Sequence, residues 1–291
     1  MKDNDMDGDE NEFSDYVGRS MIMEDIVTVS SVHKLTVTLN RSDPIPKIGD
    51  PVPPGWHHVL FPRFPLNKDL GGDGMVSEID DGPVDPLPLR MFAGSRTRFH
   101  QPIRIGDAVT QERKLVSMVP KEGKSGKLVF GTYAHTITGP NGLCTEDDWD
   151  LVFMEEDKDG TRKPPPPKPG PGSADWDRLI NVNETMLFRY SACTFNPHRI
   201  HYDHPYTTEV EGYPGLVVHG PLTATWLLEL ARDNMPDKTM TGFQMRAIAP
   251  IYANQDIRLV GNITKEGSAC DLWVLTPEGN VAMEAAATFR E

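Results

Sequence analysis

Alternation of apolar and polar positions runs through the later two-thirds of the chain and predicts antiparallel β structure. Residues 128–137 alternate, Gly139-Pro140-Asn141-Gly142 is a strong turn signal, and Trp149 to Phe153 returns as a partner strand. Farther on, 256–260, 271–275 and 281–285 read as strands, with Pro277-Glu278-Gly279-Asn280 as the turn joining the last two. The helical period is clearest from Pro221 to Asn234, where Leu222, Trp226, Leu227, Leu230 and Ala231 recur behind a Gly-Pro start. One long helix against several strands predicts a sheet wrapped round a helix. Residues 41–88 are rich in Pro and Gly and predict no helix.

The clearest boundary is the run from Lys158 to Gly172, whose six prolines suit neither helix nor sheet interior and predict a stiff, extended linker. On either side of it the sequence echoes itself. Gly94 to Pro102 and Gly242 to Pro250 have the same spacing, each with an Arg inside and an Ile after the Pro. The expected layout is an acidic flexible head (1–25), an N-terminal unit (26–157), a linker (158–174) and a C-terminal unit (175–291).

Charge and cysteine content narrow the partners. The net charge of −14 argues against nucleic acid or an anionic membrane as a partner. Part of the excess sits at the start, where residues 1–25 hold nine acidic and two basic side chains. Cys144, Cys193 and Cys270 are far apart and odd in number, which points to a reducing compartment. With no signal or transit pattern and no apolar run of membrane-spanning length, a cytoplasmic protein is expected, the mitochondrial matrix being the alternative.

Candidate chemistry concentrates in Phe195-Asn196-Pro197-His198-Arg199-Ile200-His201-Tyr202-Asp203 and in the later Pro214 to Leu222. A neutral imidazole at His201 suits general acid/base work, with Asn196 placed to orient a water and Asp203 to fix the tautomer; a purely structural His–Asp pair is the alternative. His198, His201 and His204, spaced by three, do not put their rings on one side of a helix or strand, so no metal is expected. The Gly220 N–H, at a helix start, suits polarising a carbonyl, and equally a simple capping turn. His57, His58 and Trp56 read as surface or packing residues. Arg96, Arg98, Arg199 and Arg246 suit pairing with phosphate or carboxylate, or plain solvation. No Gly-rich nucleotide loop or Gly-x-Ser-x-Gly elbow occurs.

These residues resemble the MaoC-like, R-specific enoyl-thioester hydratase family, whose loop reads Asp-x-Asn-Pro-(Ile/Leu)-His-x-Asp. Ile200, His201 and Asp203 match it, and Asn196 stands where the family has its first Asp. The segments 55–58, 66–74, 88–95, 99–107 and 121–126 are similar to the subgroup holding mitochondrial-type 3-hydroxyacyl-thioester dehydratases and itaconyl-CoA or mesaconyl-CoA hydratases. The resemblance implies an α+β double hot-dog fold, two curved antiparallel sheets each round a central helix, packed as a pseudo-dimer. The second unit would carry the site, and the first would shape the substrate channel.

The implied reaction adds water reversibly across the double bond of a 2-enoyl thioester. By resemblance the catalytic set is His201, Asn196, Asp203 and Gly220, and the substrate-binding set is Arg199, His198, His219 and Val218, with no cofactor or metal. Arg199 is the nearest candidate for the free carboxylate of a short dicarboxylic acyl-CoA such as itaconyl- or mesaconyl-CoA. An amide at 196 cannot exchange a proton near neutral pH, which leaves His201 as the single base. The alternatives are a 3-hydroxyacyl-carrier-protein dehydratase, a hot-dog thioesterase, and a fold that has lost activity. Expected partners are an acyl-CoA or acyl-carrier-protein thioester and no nucleic acid or membrane, in a monomeric pseudo-dimer or a homodimer.

Overall fold

The alternating segments join one antiparallel sheet. The computed structural model describes residues 13–76, 86–123, 126–155 and 166–291. Among these, the strands are β1 (Ser20–Ile26), β2 (Leu89–Phe99), β3 (Ala108–Gly123), β4 (Gly126–Gly139), β5 (Gly142–Met154), β6 (Trp176–Val182), β7 (Thr239–Ala247), β8 (Gln255–Thr264), β9 (Ala269–Leu275) and β10 (Val281–Arg290). The helices are α1 (Val29–Thr38), α2 (Glu184–Thr194) and α3 (Gly220–Asn234). The spatial order is β1-β3-β4-β5-β2-β7-β10-β9-β8-β6. Each half therefore repeats one plan, with its first strand at the rim and its second at the seam. This is the α+β hot-dog architecture, duplicated.

The seam gives the sequence echo a geometric meaning. Gly94 lies opposite Arg246, Arg96 opposite Gln244 and Arg98 opposite Gly242. Since Gly242 is the counterpart of Gly94, Gln244 is the counterpart of Arg96 itself. A local two-fold axis thus passes between Arg96 and Gln244, and the echo segments, expected only to precede strands, are the two seam strands.

Two boundary expectations need correction. The head expected to run to residue 25 is already structured from Phe13, which is buried, and Ser20–Ile26 pairs along β3. Phe13 and Tyr16 pack on Leu115, Met118 and Tyr133, so apolar anchoring overrides the local charge. Residues 158–165 of the linker lie outside the described residues. From 166 onward the chain is pinned to the sheet: Val281 N–H donates to the Lys168 carbonyl (2.7 Å) and Gly170 N–H to that of Gly279 (3.0 Å).

α3 follows its apolar period. Leu222, Leu227, Leu230 and Ala231 are buried against Ile257, Leu259, Leu272 and Val274 of the second half. The same core takes in Val32, Leu35, Trp56 and Ile103 of the first half. Neither α1 nor α2 is predicted by periodicity, because α1 is rich in β-branched residues that weaken the helical signal. What starts them is capping: Thr28 and Ser31 form a capping box, and the Asn183 side chain accepts from Met186 N–H. In the first half the described residues hold no counterpart as long as α3, only α1 and short 3₁₀ turns such as Trp56–Val59.

A buried carboxylate ties α3 to the first half. Glu229, 3% exposed, accepts from the Trp56 indole (2.9 Å) and pairs with Arg41 (2.6 Å) and Arg232 (2.5 Å). Removing it strands the Trp56 indole N–H, while Arg41 keeps Asp43 and Asp233. Glu229→Ala is expected to lower unfolding free energy by about 1–3 kcal/mol in urea titration; an unchanged midpoint would show that the indole finds another partner.

Candidate active site

The histidine loop is built by the end of α2. Phe195 turns left-handed (φ 51°), and the Asn196 N–H donates to the Ser191 carbonyl (2.9 Å). The Asn196 Oδ1 then accepts from His198 N–H (3.0 Å), closing a side-chain turn that feeds the 3₁₀ turn Arg199–His201. Ile200 is buried beneath it as an anchor.

The first half clamps this loop from above. Arg199 donates through its backbone N–H to the Asp73 carbonyl (2.8 Å) and through Nη1 to the Gly72 carbonyl (2.8 Å). At Gly74 (φ 87°) a Cβ would stand 2.3 Å from the Pro197 carbonyl oxygen, so this close approach requires glycine.

His201, 7% exposed, is oriented by backbone. Its Nδ1 lies 2.7 Å from the Val217 carbonyl, which can only accept, so Nδ1 carries the proton and Nε2 keeps its lone pair. Burial, and next the field of His198, push its pKa down to about 3. Its ring stacks on that of His219 (centroids 3.6 Å, 19° between planes) and meets that of His198 edge-on (5.4 Å). The Nε2 of His219 is 2.9 Å from Ser191 Oγ, while its Nδ1 is buried with no hydrogen bond. The loop and the Gly220 turn, read separately in the sequence, thus meet through stacked imidazoles.

Three expected roles change. Asp203 does not hold His201; its carboxylate takes Nε and Nη2 of Arg199 (2.9 and 2.7 Å) and the Tyr206 N–H (3.2 Å). Arg199 is in turn committed to Asp203, to Gly72 and to the Tyr206 ring 4.0 Å away, which makes it a strut rather than a free carboxylate receptor. Val218 is buried in the main core, and its N–H donates to the Ile251 carbonyl (2.8 Å), so it packs and pairs. His204 is exposed.

Gly220 begins α3 with no side-chain cap, and a Cβ there would lie 2.9 Å from the Phe92 ring. Phe92 belongs to β2, so the first half supplies the opposite wall. Behind it Trp149 of β5 meets Phe92 edge-on (5.2 Å), and His58 stacks on Trp149 (5.2 Å). His57, His58 and Trp56 are packing residues, with His57 Nε2 bonded to Asp147 (3.1 Å).

One ligand atom from each of His57, His58 and Asp147 lies within 4.8 Å of the others. Asp147 nevertheless already accepts from Thr97 (2.8 Å), Trp149 (2.6 Å) and His57, and the buried Nδ1 of His58 lacks the acceptor that a metal-bound imidazole normally has. Burial alone would raise the Asp147 carboxyl, but the His57 hydrogen bond and the neighbouring histidines hold it well below the usual carboxylate range. The cluster is a polar core gathered on Asp147, with the His58 Nδ1 left unpaired, rather than a metal centre.

Residues 55–253 match the family model described as hydroxyacyl-thioester dehydratase type 2. The chain belongs to the hydroxyacyl-thioester dehydratase type 2 family. It is 37% identical over 271 residues to mesaconyl-C(4)-CoA hydratase of Chloroflexus aurantiacus, covering 93% of this chain and 95% of that one. It is 26% identical to the mitochondrial hydroxyacyl-thioester dehydratase type 2 of Schizosaccharomyces pombe, over 87% and 92% of the two chains. The crystal structure of HtdX from Mycobacterium tuberculosis superposes with a TM-score of 0.66 at 18% identity, over 93% and 99%, a likeness of fold.

Residue-type reasoning gave no role to Phe92, Trp149, Arg90 or Ser191. Arg90 and Phe92 are two apart on β2 and share its inner face, and the positive charge of Arg90, after burial, contributes to lowering His198. The only signal for them was the segment 88–95, similar to the subgroup but carrying no recognisable motif. Two cavities lie elsewhere: about 700 Å³ on the outer face of the seam beside Arg96 and Gln244, and about 600 Å³ near Met235 and Met240 past α3. Neither touches the histidine loop, and the chemistry, not the volume, locates the site.

Burial holds His58 and His201 down to about 3 and His135 and His198 to about 4, and His219 also well below its ordinary value. The folded protein keeps these rings neutral while the unfolded chain takes up protons below about 6.5. Stability is therefore expected to fall on acidification from pH 6.5 to 4, by up to about 1.4 kcal/mol per pH unit for each such histidine. Urea midpoints at pH 7, 6 and 5 measure this, and a flat series would mean that the imidazoles are hydrated.

Proposed function

We propose that this protein hydrates, and in reverse dehydrates, the double bond of a 2-enoyl-CoA thioester. The observation that carries the reading is the His201 Nδ1 bond to the Val217 carbonyl, which leaves Nε2 unprotonated on a ring stacked against His219 at the uncapped start of α3. The thioester oxygen would accept from the Gly220 N–H, assisted by the helix dipole. His201 Nε2 takes a proton from water as its oxygen bonds to the β-carbon, and charge moves to the thioester. The same proton then passes to the α-carbon, leaving His201 neutral. Asn196 has its Oδ1 engaged by His198 N–H, so its NH₂ group is what remains to hold the water. His198 and His219 line the base; Asp203 and Arg199 keep the loop in place.

The relative named as a mesaconyl-C(4)-CoA hydratase supports a short dicarboxylic acyl group. Arg90, two residues from Phe92 on the inner face of β2, is the cation proposed for the second carboxylate. The seam supplies the pseudo-dimer within one chain, so a monomer suffices for the site, with the first half as substrate wall. No helix of the described residues is long and apolar enough to cross a membrane, and a reducing compartment, the cytoplasm or the mitochondrial matrix, is the proposed setting.

Loss of enoyl-thioester absorbance follows the reaction, and thiol release would expose a thioesterase instead. His201→Ala is expected to lower kcat by about 10²–10⁴-fold; retention of hydration by this variant would remove the assignment. Arg90→Met is expected to raise KM for mesaconyl-CoA at least about tenfold while crotonyl-CoA changes less than about threefold, and equal effects on both would place Arg90 outside acyl recognition.

A further inference from the structure

His219 is a buried polar ring that no proton-transfer step above uses. It is 1% exposed, is held through Nε2 by Ser191 Oγ at 2.9 Å, and has Tyr190 edge-on behind it at 4.9 Å. Its Nδ1 is buried without a hydrogen bond, a cost that a phenyl or aliphatic filler would avoid. What the ring does have is the face of His201, 3.6 Å away and nearly parallel.

His201 needs such a partner, because among the described residues the groups around it offer no carboxylate. Its Nδ1–H meets a neutral carbonyl, that of Val217. Asp203 is taken by Arg199, and Asp73 reaches only His198, at 3.9 Å. Among the described residues, a charge that bears on the rings is Arg90, which lowers His198 after burial and so opposes a cation. Tyr190 and Ser191 bring no charge.

We propose that His219 is a positioning residue which, clamped by Ser191, holds His201 in register and presents a neutral aromatic face to the imidazolium formed as water adds. The stack takes the place that a carboxylate holds in an Asp–His pair. This rests on the hydratase reading. In that reaction the proton leaves water for His201 Nε2 while the oxygen bonds to the β-carbon, and later goes to the α-carbon, so His201 is cationic only between the two transfers. A face-on ring therefore stabilises the charged passage more than the bound ground state, which lowers the barrier rather than tightening binding. Burial keeps His219 itself uncharged, so it does not repel the cation.

Three variants test this: His219→Phe keeps a stacked ring without nitrogens, His219→Leu removes the ring, and Ser191→Ala loosens the clamp. With crotonyl-CoA and mesaconyl-CoA, His219→Leu is expected to lower kcat about 10–100-fold with KM within about twofold. His219→Phe should stay within about fivefold of wild type, and Ser191→Ala should fall between them. Proton NMR supplies a readout independent of turnover: the slowly exchanging Nδ1–H resonance of His201 should persist in the Phe variant and broaden or vanish in the Leu variant. Equal kcat losses for Phe and Leu, a rise in KM alone, or an Nδ1–H signal unchanged in all three would overturn the proposal. Absence of hydration by the wild-type protein would instead remove the hydratase reading, while the NMR comparison would still decide whether the stack positions His201. Thermal midpoints of each variant separate these effects from unfolding.

Discussion

Pairing of β2 with β7 is the constraint on which the molecule depends. These hydrogen bonds turn two five-stranded sheets into one and fix their relative position to a single register, Arg96 against Gln244. That register sets Phe92 of the first half against Gly220 of the second, where a side chain on residue 220 would collide. A one-residue slip would send the inward side chains of β2 outward and dismantle the wall opposite the helix start. The α3 helix reinforces the same geometry, since its buried Glu229 gathers donors from both halves.

Around that frame the site is made of uncharged imidazoles. Desolvation keeps His198, His201 and His219 neutral, and the Val217 carbonyl decides which nitrogen of His201 carries its proton. The charged residues of the loop serve instead as mechanical parts: Arg199 and Asp203 brace it against the 72–74 turn.

How much of this the sequence discloses follows from which interactions are local. The hairpin at Gly139–Gly142, the later strands and α3 are legible because each carries its own turn or period. α1 is not, since its β-branched residues hide a helix that capping and tertiary packing sustain. In the site, His201 and Gly220 stand out through residue type and the family-like loop. Asp203 pairs with Arg199, four residues back, rather than with His201, two residues back, because the 3₁₀ turn brings the guanidinium and not the imidazole to the carboxylate. Arg90, Phe92 and Trp149 are contributed by strands more than forty residues from the loop, where no local pattern reports the contact.

The division of the site between halves has an evolutionary consequence. In the proposed reading, one half holds the atoms that move protons, and the other holds the surface facing the acyl group. Substitutions along β2 and β5 can retune what the pocket accepts without disturbing the base or the clamp on its loop. A duplicated fold with its proposed base in one half thus leaves the other sheet room to drift. A single chemistry can then diversify across many acyl groups by altering the half that performs none of it.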